Sequence, residues 1–208
     1  MDVRKRIALY GGTFDPVHLG HLEIARAVSE LFVIEKVLFV PAQLAPHKIG
    51  RPVTEPIHRY AMLALATQND PRWSISTFEL DAPGRRYTVD TVEHFQTVLG
   101  ESIELFFIMG ADSWAEVKTW REWQRLLTMV NHIVAPRPGY EIDKTLPIPD
   151  ARVRFAEGEM KDISATQIRQ LAAAGRFDDL AQLVPRPVAE YIRKYELYRE
   201  TNETELNS

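Results

Sequence analysis

The chain contains no cysteine. That absence removes disulfides, thiolate metal sites, iron–sulfur clusters and cysteine nucleophiles together. Any chemistry is left to His, Ser, Thr, carboxylates, Lys, Arg and backbone amides. Long apolar runs are missing as well: the longest is seven residues, 60–66, against roughly 20 needed to cross a bilayer as a helix. No membrane span is expected. The N-terminus starts basic, but its apolar stretch is short and broken by glycines, unlike a secretory signal peptide, and a cytoplasmic location is expected. There is no basic excess either: 25 Lys+Arg stand against 29 Asp+Glu, a formal net charge of −4. A general nucleic-acid binder usually carries surplus positive charge, so nucleic acid is not an expected partner, although a local basic pocket stays allowed.

With 45% hydrophobic and 26% charged residues in 208, the composition is that of a globular protein able to bury a sizeable core. Short apolar segments alternate with stretches of helical period. Strands are expected at residues 6–10, 36–40, 73–80, 103–109, 132–135 and 152–155, and helices at 19–32, 57–67 and 89–99. A Trp-rich helical stretch (Trp114, Trp120, Trp123) follows residue 110. This alternation predicts βαβ units around a parallel sheet, an α/β fold of Rossmann-like, doubly wound type. From residue 163 the pattern turns purely helical, with helices expected at 166–174, 178–184 and 187–198. Residues 1–162 therefore read as the core, 163–200 as a small C-terminal helical subdomain, and 201–208 as a polar tail.

The most informative stretch is Gly11-Gly12-Thr13-Phe14-Asp15-Pro16-Val17-His18-Leu19-Gly20-His21, between the first strand and the first helix. A strand, a glycine turn and a helix N-terminus form an anion cradle, because free amides and the helix dipole point the same way. His18 and His21, three apart, can face that cradle from one side of the helix. Two such histidines also suit a structural turn or a metal pair, but no third ligand lies nearby and the carboxylates are scattered. A second stretch, Ile163-Ser164-Ala165-Thr166-Gln167-Ile168-Arg169, opens the helical region. Ser164 is placed as an N-cap, and Thr166 and Arg169 near the first turn could converge on another anion. Taken alone, that start reads as simple capping, since such helix starts are common.

Together the two stretches resemble the HxGH and ISSTxIR signatures of the nucleotidylyltransferase superfamily, with Ala165 in place of the usual second serine. Within it, the chain resembles the bacterial nicotinate mononucleotide adenylyltransferases along nearly its whole length. The APHK segment ending at Lys48, the RYTVDT element around Thr88, GADSW from Gly110, and the closing LVPRPVAEYI carry the likeness.

The resemblance implies attack by the 5′-phosphate of nicotinate mononucleotide on the α-phosphate of ATP, releasing pyrophosphate. A phosphate monoester is already largely ionised at neutral pH, so positioning and charge dispersal are the task, without a general base. It implies that His18, His21, Lys48 and Arg169 form a cationic catalytic pocket, and that Gly11, Gly12, Thr13 and Phe14 contact the reacting phosphates. Ile163, Ser164, Thr166 and Arg169 would bind adenosine and the outer phosphates, and Gly110 and Asp112 the ribose. Thr13, Phe14, Lys48, Thr88, Trp120 and Arg121 would meet the mononucleotide, its ring on Trp120 and its carboxylate at the Thr88 hydroxyl. Thr88 also suits an N-cap before Val89, and the family often has Tyr where Arg121 stands. Mg2+ would arrive with ATP and need no dedicated protein cage. Nicotinamide mononucleotide or phosphopantetheine as acceptor, a non-catalytic nucleotide-binding module, and a homo-oligomer are the alternatives left open.

Overall fold

The computed structural model describes residues 4–43, 53–145, 148–158 and 160–199. Six strands, β1 (Lys5–Gly12), β2 (Lys36–Pro41), β3 (Trp73–Ile75), β4 (Ile103–Gly110), β5 (Asn131–Ala135) and β6 (Val153–Phe155), form a single sheet. Their order is β3-β2-β1-β4-β5-β6 and every pairing is parallel.

Successive residues of a strand point to opposite faces, and here both faces are covered. Ala8, Tyr10, Val37, Phe39, Phe106, Ile108 and Ile133 enter one apolar cluster, while Leu9, Val40, Leu105, Phe107, Met109 and Val134 enter another. This two-sided burial is why the central strands are continuous apolar runs. Helices α1 (Leu19–Leu31) and α2 (Pro56–Thr67) supply Leu22, Ala25, Val28, Met62 and Leu63 to the first cluster. Helices α3 (Thr88–Leu99), α4 (Ala111–Ala115) and α5 (Trp123–Met129) supply Val92, Phe95, Trp114, Leu126 and Leu127 to the second. The doubly wound α/β architecture expected from the alternation is therefore present. Strand β1 lies between β2 and β4, whose connections run to opposite sides. Open α/β sheets bind ligands at such a switch point, beyond the carboxyl ends of the strands.

The C-terminal helices α6 (Ala165–Ala173), α7 (Phe177–Leu180) and α8 (Arg186–Lys194) do not hold a core of their own. Ile168, Ala172, Leu180, Val188 and Ile192 join the same cluster as Ala8 and Phe106. Among the described residues no helix is long and apolar enough to cross a membrane.

Several expected boundaries shift for identifiable reasons. Strand β3, expected over 73–80, stops at Ile75. It is an edge strand with only β2 beside it, and the Ser76 hydroxyl accepts the Phe78 amide at 3.1 Å, which turns the chain away. The Trp-rich stretch is three pieces: α4, a 3₁₀ turn at Val117–Thr119, and α5, with Glu122 in the left-handed region (φ 50°) ahead of α5. Helix α8 ends at Lys194 rather than 198, because Glu196 and Tyr198 both adopt positive φ (52° and 68°). Helix α7 is one turn where 178–184 was expected.

Because α6 shares the sheet's core, Ile168→Ala is expected to lower global stability by about 2–4 kcal/mol. Urea unfolding followed at both a helical and a tryptophan signal should give one coincident transition, shifted as a whole. A separate early melting of the C-terminal helices would contradict the shared core.

Candidate active site

A cavity of about 560 Å³ lies over the carboxyl ends of β1 and β4. The site residues expected from the sequence reach it from five separate parts of the chain. Gly11, Gly12, Thr13, Phe14, His18 and His21 line it from the β1–α1 turn, Thr88 from α3, and Gly110 and Asp112 from the β4–α4 turn. Trp120 and Arg121 line it from the chain before α5, and Ile163, Ser164, Thr166 and Arg169 from the start of α6. Every site residue expected from the sequence is thus on this cavity except Lys48, which lies outside the described residues.

The turn after β1 is tightly folded. Phe14, only 2% exposed, has φ 49°. Its ring lies where a Cβ on Gly12 would sit, 2.9 Å away, so that position excludes a side chain. At Gly20 the fit is tight rather than closed: an added Cβ would lie 3.2 Å from His18 Nδ1, and the ring would have to give slightly. The His18 and His21 rings stack with centroids 3.7 Å apart. His21 Nδ1 accepts the His18 backbone N–H at 3.2 Å, which assigns the neutral His21 proton to Nε2.

Two expectations about this turn need correction. The charge of His18 is the first: the side chain is 7% exposed, and burial, with a smaller contribution from Arg137, pushes its pKa down to about 3. The ring is a neutral imidazole at neutral pH, not a cation. Secondly, the helix start is not a row of free amides, since Leu19 N–H, the first of α1, donates to the Leu183 carbonyl at 2.9 Å.

The second motif closes onto the first. Ser164 caps α6 as expected, its Oγ accepting the Gln167 amide at 3.1 Å. Arg169 Nη1 donates to the Asp15 carbonyl at 2.7 Å and Nη2 to Thr166 Oγ1 at 3.0 Å. The Asp15 carboxylate in turn accepts the Tyr198 hydroxyl at 2.9 Å. Thr88 is not the N-cap: Tyr87 is, with Asp90 Oδ2 accepting its amide at 3.2 Å, and Thr88 is the first helical residue. Its amide therefore has no partner within the helix.

Sequence reasoning missed four residues here. Arg59 on α2 is fully buried and donates to four backbone carbonyls: Thr54 (2.9 Å), Thr13 (2.9 Å), Ala42 (2.6 Å) and Gln43 (3.1 Å). A cation spaced i, i+3, i+4 with the buried Met62 and Leu63 was the available signal. Arg137, in the loop after β5, pairs with Asp112 in the cavity; it stands past a strand end just as Gly110 and Asp112 do. Arg86 stacks over Phe78, 4.2 Å from the ring centroid, and its Nε is buried without a partner, as is Trp120 Nε1. Glu79 accepts the Thr91 hydroxyl at 2.7 Å, and burial pushes its pKa up to about 7. No local pattern marked it. Arg85 and Arg121 both lie over the Tyr87 ring, at 5.1 and 4.7 Å, so this end of the cavity is flanked by guanidinium groups.

A parallel sheet with a glycine turn and a cavity at its switch point defines a doubly wound α/β protein of the ligand-binding kind. Comparison with known proteins makes that specific. A family model described as cytidylyltransferase-like matches residues 9–171. A protein of Thermoanaerobacter sp. (strain X514) named "Probable nicotinate-nucleotide adenylyltransferase" is 42% identical over 98% of this chain and 99% of its own. One of the same name from Thermus thermophilus is 42% identical over 93% and 100%. Among solved structures, a Plasmodium falciparum nicotinic acid mononucleotide adenylyltransferase complexed with NaAD superimposes with a TM-score of 0.78, at 21% identity, over 93% of this chain and 97% of that one. The chain belongs to the cytidylyltransferase-like family, among the nicotinate-nucleotide adenylyltransferases.

Two measurements test the geometry. Arg59→Met leaves four carbonyls without their donor and is expected to cost about 3 kcal/mol in denaturant unfolding; an unchanged midpoint would show that the clamp is not structural. The ligand-free protein should also lose stability as pH falls below about 6.5. His18 and His132, held by burial near 3 and near 4, take up protons on unfolding at their ordinary value, so the unfolded state binds more protons in that window. His18→Gln should flatten the dependence of melting temperature on pH between 6.5 and 4; an identical slope would refute the assignment.

Proposed function

We propose that the protein transfers the adenylyl group of ATP to nicotinate mononucleotide, giving nicotinate adenine dinucleotide and pyrophosphate. One observation carries this reading beyond family membership. The phosphate-binding elements of both motifs and the guanidinium-flanked aromatic end around Thr88 and Trp120 open into one continuous cavity. A nucleoside triphosphate and a second, anionic nucleotide can then meet in one space.

In this reading the 5′-phosphate oxygen of the mononucleotide attacks the α-phosphorus, and the bond from that phosphorus to the β-bridging oxygen breaks. The nucleophile is largely ionised already, its second pKa being about 6, so the residues orient and neutralise rather than remove a proton. Neutral His18 offers a desolvated ring edge beside His21, and a bound phosphate supplies the counter-charge that makes protonation of His18 favourable. Arg169, already fixed to Asp15, spans the phosphates between the two motifs. Ile163, Ser164 and Thr166 face the adenosine side, and Gly110 and Asp112 the ribose. Asp112 exchanges part of its pairing with Arg137 for the sugar hydroxyls. Trp120 gives the pyridine ring a stacking face, and the Thr88 amide and hydroxyl, with the backbone by Arg121, receive its carboxylate. Among the described residues no three His, Asp or Glu side chains are grouped to ligate a metal. Mg2+ would enter as part of the ATP substrate and would offset phosphate charge there.

The test is to incubate the purified protein with MgATP and either nicotinate or nicotinamide mononucleotide, following pyrophosphate release and the dinucleotide formed. The acid should react faster, and His18→Ala should lower kcat/KM by about 100-fold or more. Faster turnover of the amide would overturn the substrate assignment, and near-wild-type turnover by His18→Ala would overturn the role given to that ring. ATP binding without turnover would favour the non-catalytic module.

A further inference from the structure

We propose that Glu79 is a specificity-determining residue of this site, its protonation state setting how strongly the cavity prefers an acid over an amide on the pyridine ring. The inference rests on the substrate reading above. Its ground is the placement of the carboxyl. Glu79 follows the edge strand β3, in the segment that leads to Tyr87, and lines the same cavity as Thr88, Trp120 and Arg121. Its Oε1 lies 2.7 Å from Thr91 Oγ1, one helical turn beyond Thr88 on α3.

The Thr91 hydroxyl can serve both forms of that carboxyl. It lies 3.4 Å from the Tyr87 carbonyl as well as 2.7 Å from Glu79. With Glu79 ionised, the hydroxyl donates to the carboxylate. With Glu79 protonated, it accepts from the acid and turns its own hydrogen to Tyr87, the residue that caps α3 just before Thr88. Neither form leaves Glu79 Oε1 unpaired, so both fit without rearrangement. Burial raises the carboxyl to about 7, against the lowering effects of the Thr91 hydrogen bond and the Arg86 charge. The charge acting on it is Arg86, on its own segment with Asp81 and Arg85; Arg121 lines the same cavity, and Asp90 and His94 lie on α3 with Thr91. Asp90 is engaged by the Tyr87 amide, His94 is stacked on Phe78 at 3.8 Å, and Arg121 lies over Tyr87.

The consequence concerns a ratio rather than a rate. Ionised Glu79 adds a negative charge beside the place where the substrate's ring carboxylate is received. That charge repels the acid and leaves the uncharged amide little affected. Protonated Glu79 removes the repulsion. The pyridinium ring, the 5′-phosphate and every ATP contact are common to both mononucleotides, so their own titrations cancel when the two kcat/KM values are divided.

The experiment measures kcat/KM for nicotinate and nicotinamide mononucleotides at saturating MgATP between pH 6 and 8.5. The acid-to-amide ratio should be highest at the acid end and fall roughly tenfold as Glu79 ionises. In Glu79→Gln the carboxamide stays neutral, and the ratio should hold at the wild-type acid-end level across the range. A second variant, Thr91→Val, which takes away the hydroxyl that favours the ionised form, should shift the fall to higher pH. A flat or rising wild-type ratio overturns the proposal, as does a Glu79→Gln ratio that still falls. The wild-type measurement decides the matter even where a variant fails to fold. Should neither mononucleotide react, the substrate reading falls and this inference with it; conversion with a flat ratio removes the inference alone.

Discussion

The site depends above all on one buried cation. Arg59 has no solvent around it; its guanidinium donates to four peptide carbonyls, and the Asp15 carboxylate supplies favourable charge nearby. A charge so placed is tolerable because its donors are taken up by dipoles. Its position therefore dictates where those dipoles are. They belong to the glycine turn at Thr13, to the chain leaving β2 at Ala42 and Gln43, and to the chain entering α2 at Thr54. A glycine turn by itself is permissive; here it is fixed from below by a helix on the opposite side of the loop. Asp15 then carries the constraint onward, through its carbonyl to Arg169 and through its carboxylate to Tyr198. The turn that carries the first motif is thus held by segments distant in sequence: Arg59 on α2, Arg169 on α6 and Tyr198 beyond α8.

That arrangement explains which parts of the molecule were legible in the sequence. Period-two and period-3.6 patterns report burial of a face, so the sheet, its helices and the strand-end position of both motifs could be read directly. Patterns do not report an edge. The polar turn at Ser76 ends β3 because no further strand lies beside it, and nothing within residues 73–80 says so. They do not report the charge state of His18 either, since that depends on how deeply the ring is covered and on Arg137, which comes from a strand end more than a hundred residues further along the chain. Glu79 was invisible for a similar reason: its character comes from the apolar residues and arginines that tertiary folding brings around it. Arg59 was within reach, as a lone charge on an otherwise apolar helix face. Lys48 lies outside the described residues.

The overall charge of −4 and the proposed binding of two polyanions are reconciled by distribution. Arg137 and Arg169 supply positive charge beside the two motifs, and Arg85, Arg86 and Arg121 flank the aromatic end. The carboxylates of Asp15, Asp112 and Glu79 in the cavity are each engaged, Asp15 by Tyr198, Asp112 by Arg137 and Glu79 by Thr91. Among the described residues, three of the four carboxylates lining the cavity are engaged and Asp162 is the fourth, so the arginines can keep the cavity attractive to anions, while acidic residues elsewhere account for the negative total.

One hydrogen bond has a consequence for how the protein comes to exist. The first amide of α1, beside His18, is satisfied by the carbonyl of Leu183, and Asp15 is satisfied by Tyr198. The last strand of the sheet ends at Phe155. During synthesis on the ribosome the sheet can therefore pair and bury its apolar faces in part while the nucleotide site remains incomplete. The turn, already clamped by Arg59, gains its contacts to Leu183 and Tyr198 only when the chain beyond α6 emerges and docks. A finished cavity is in this sense a report that the sheet and the helices after it have folded together.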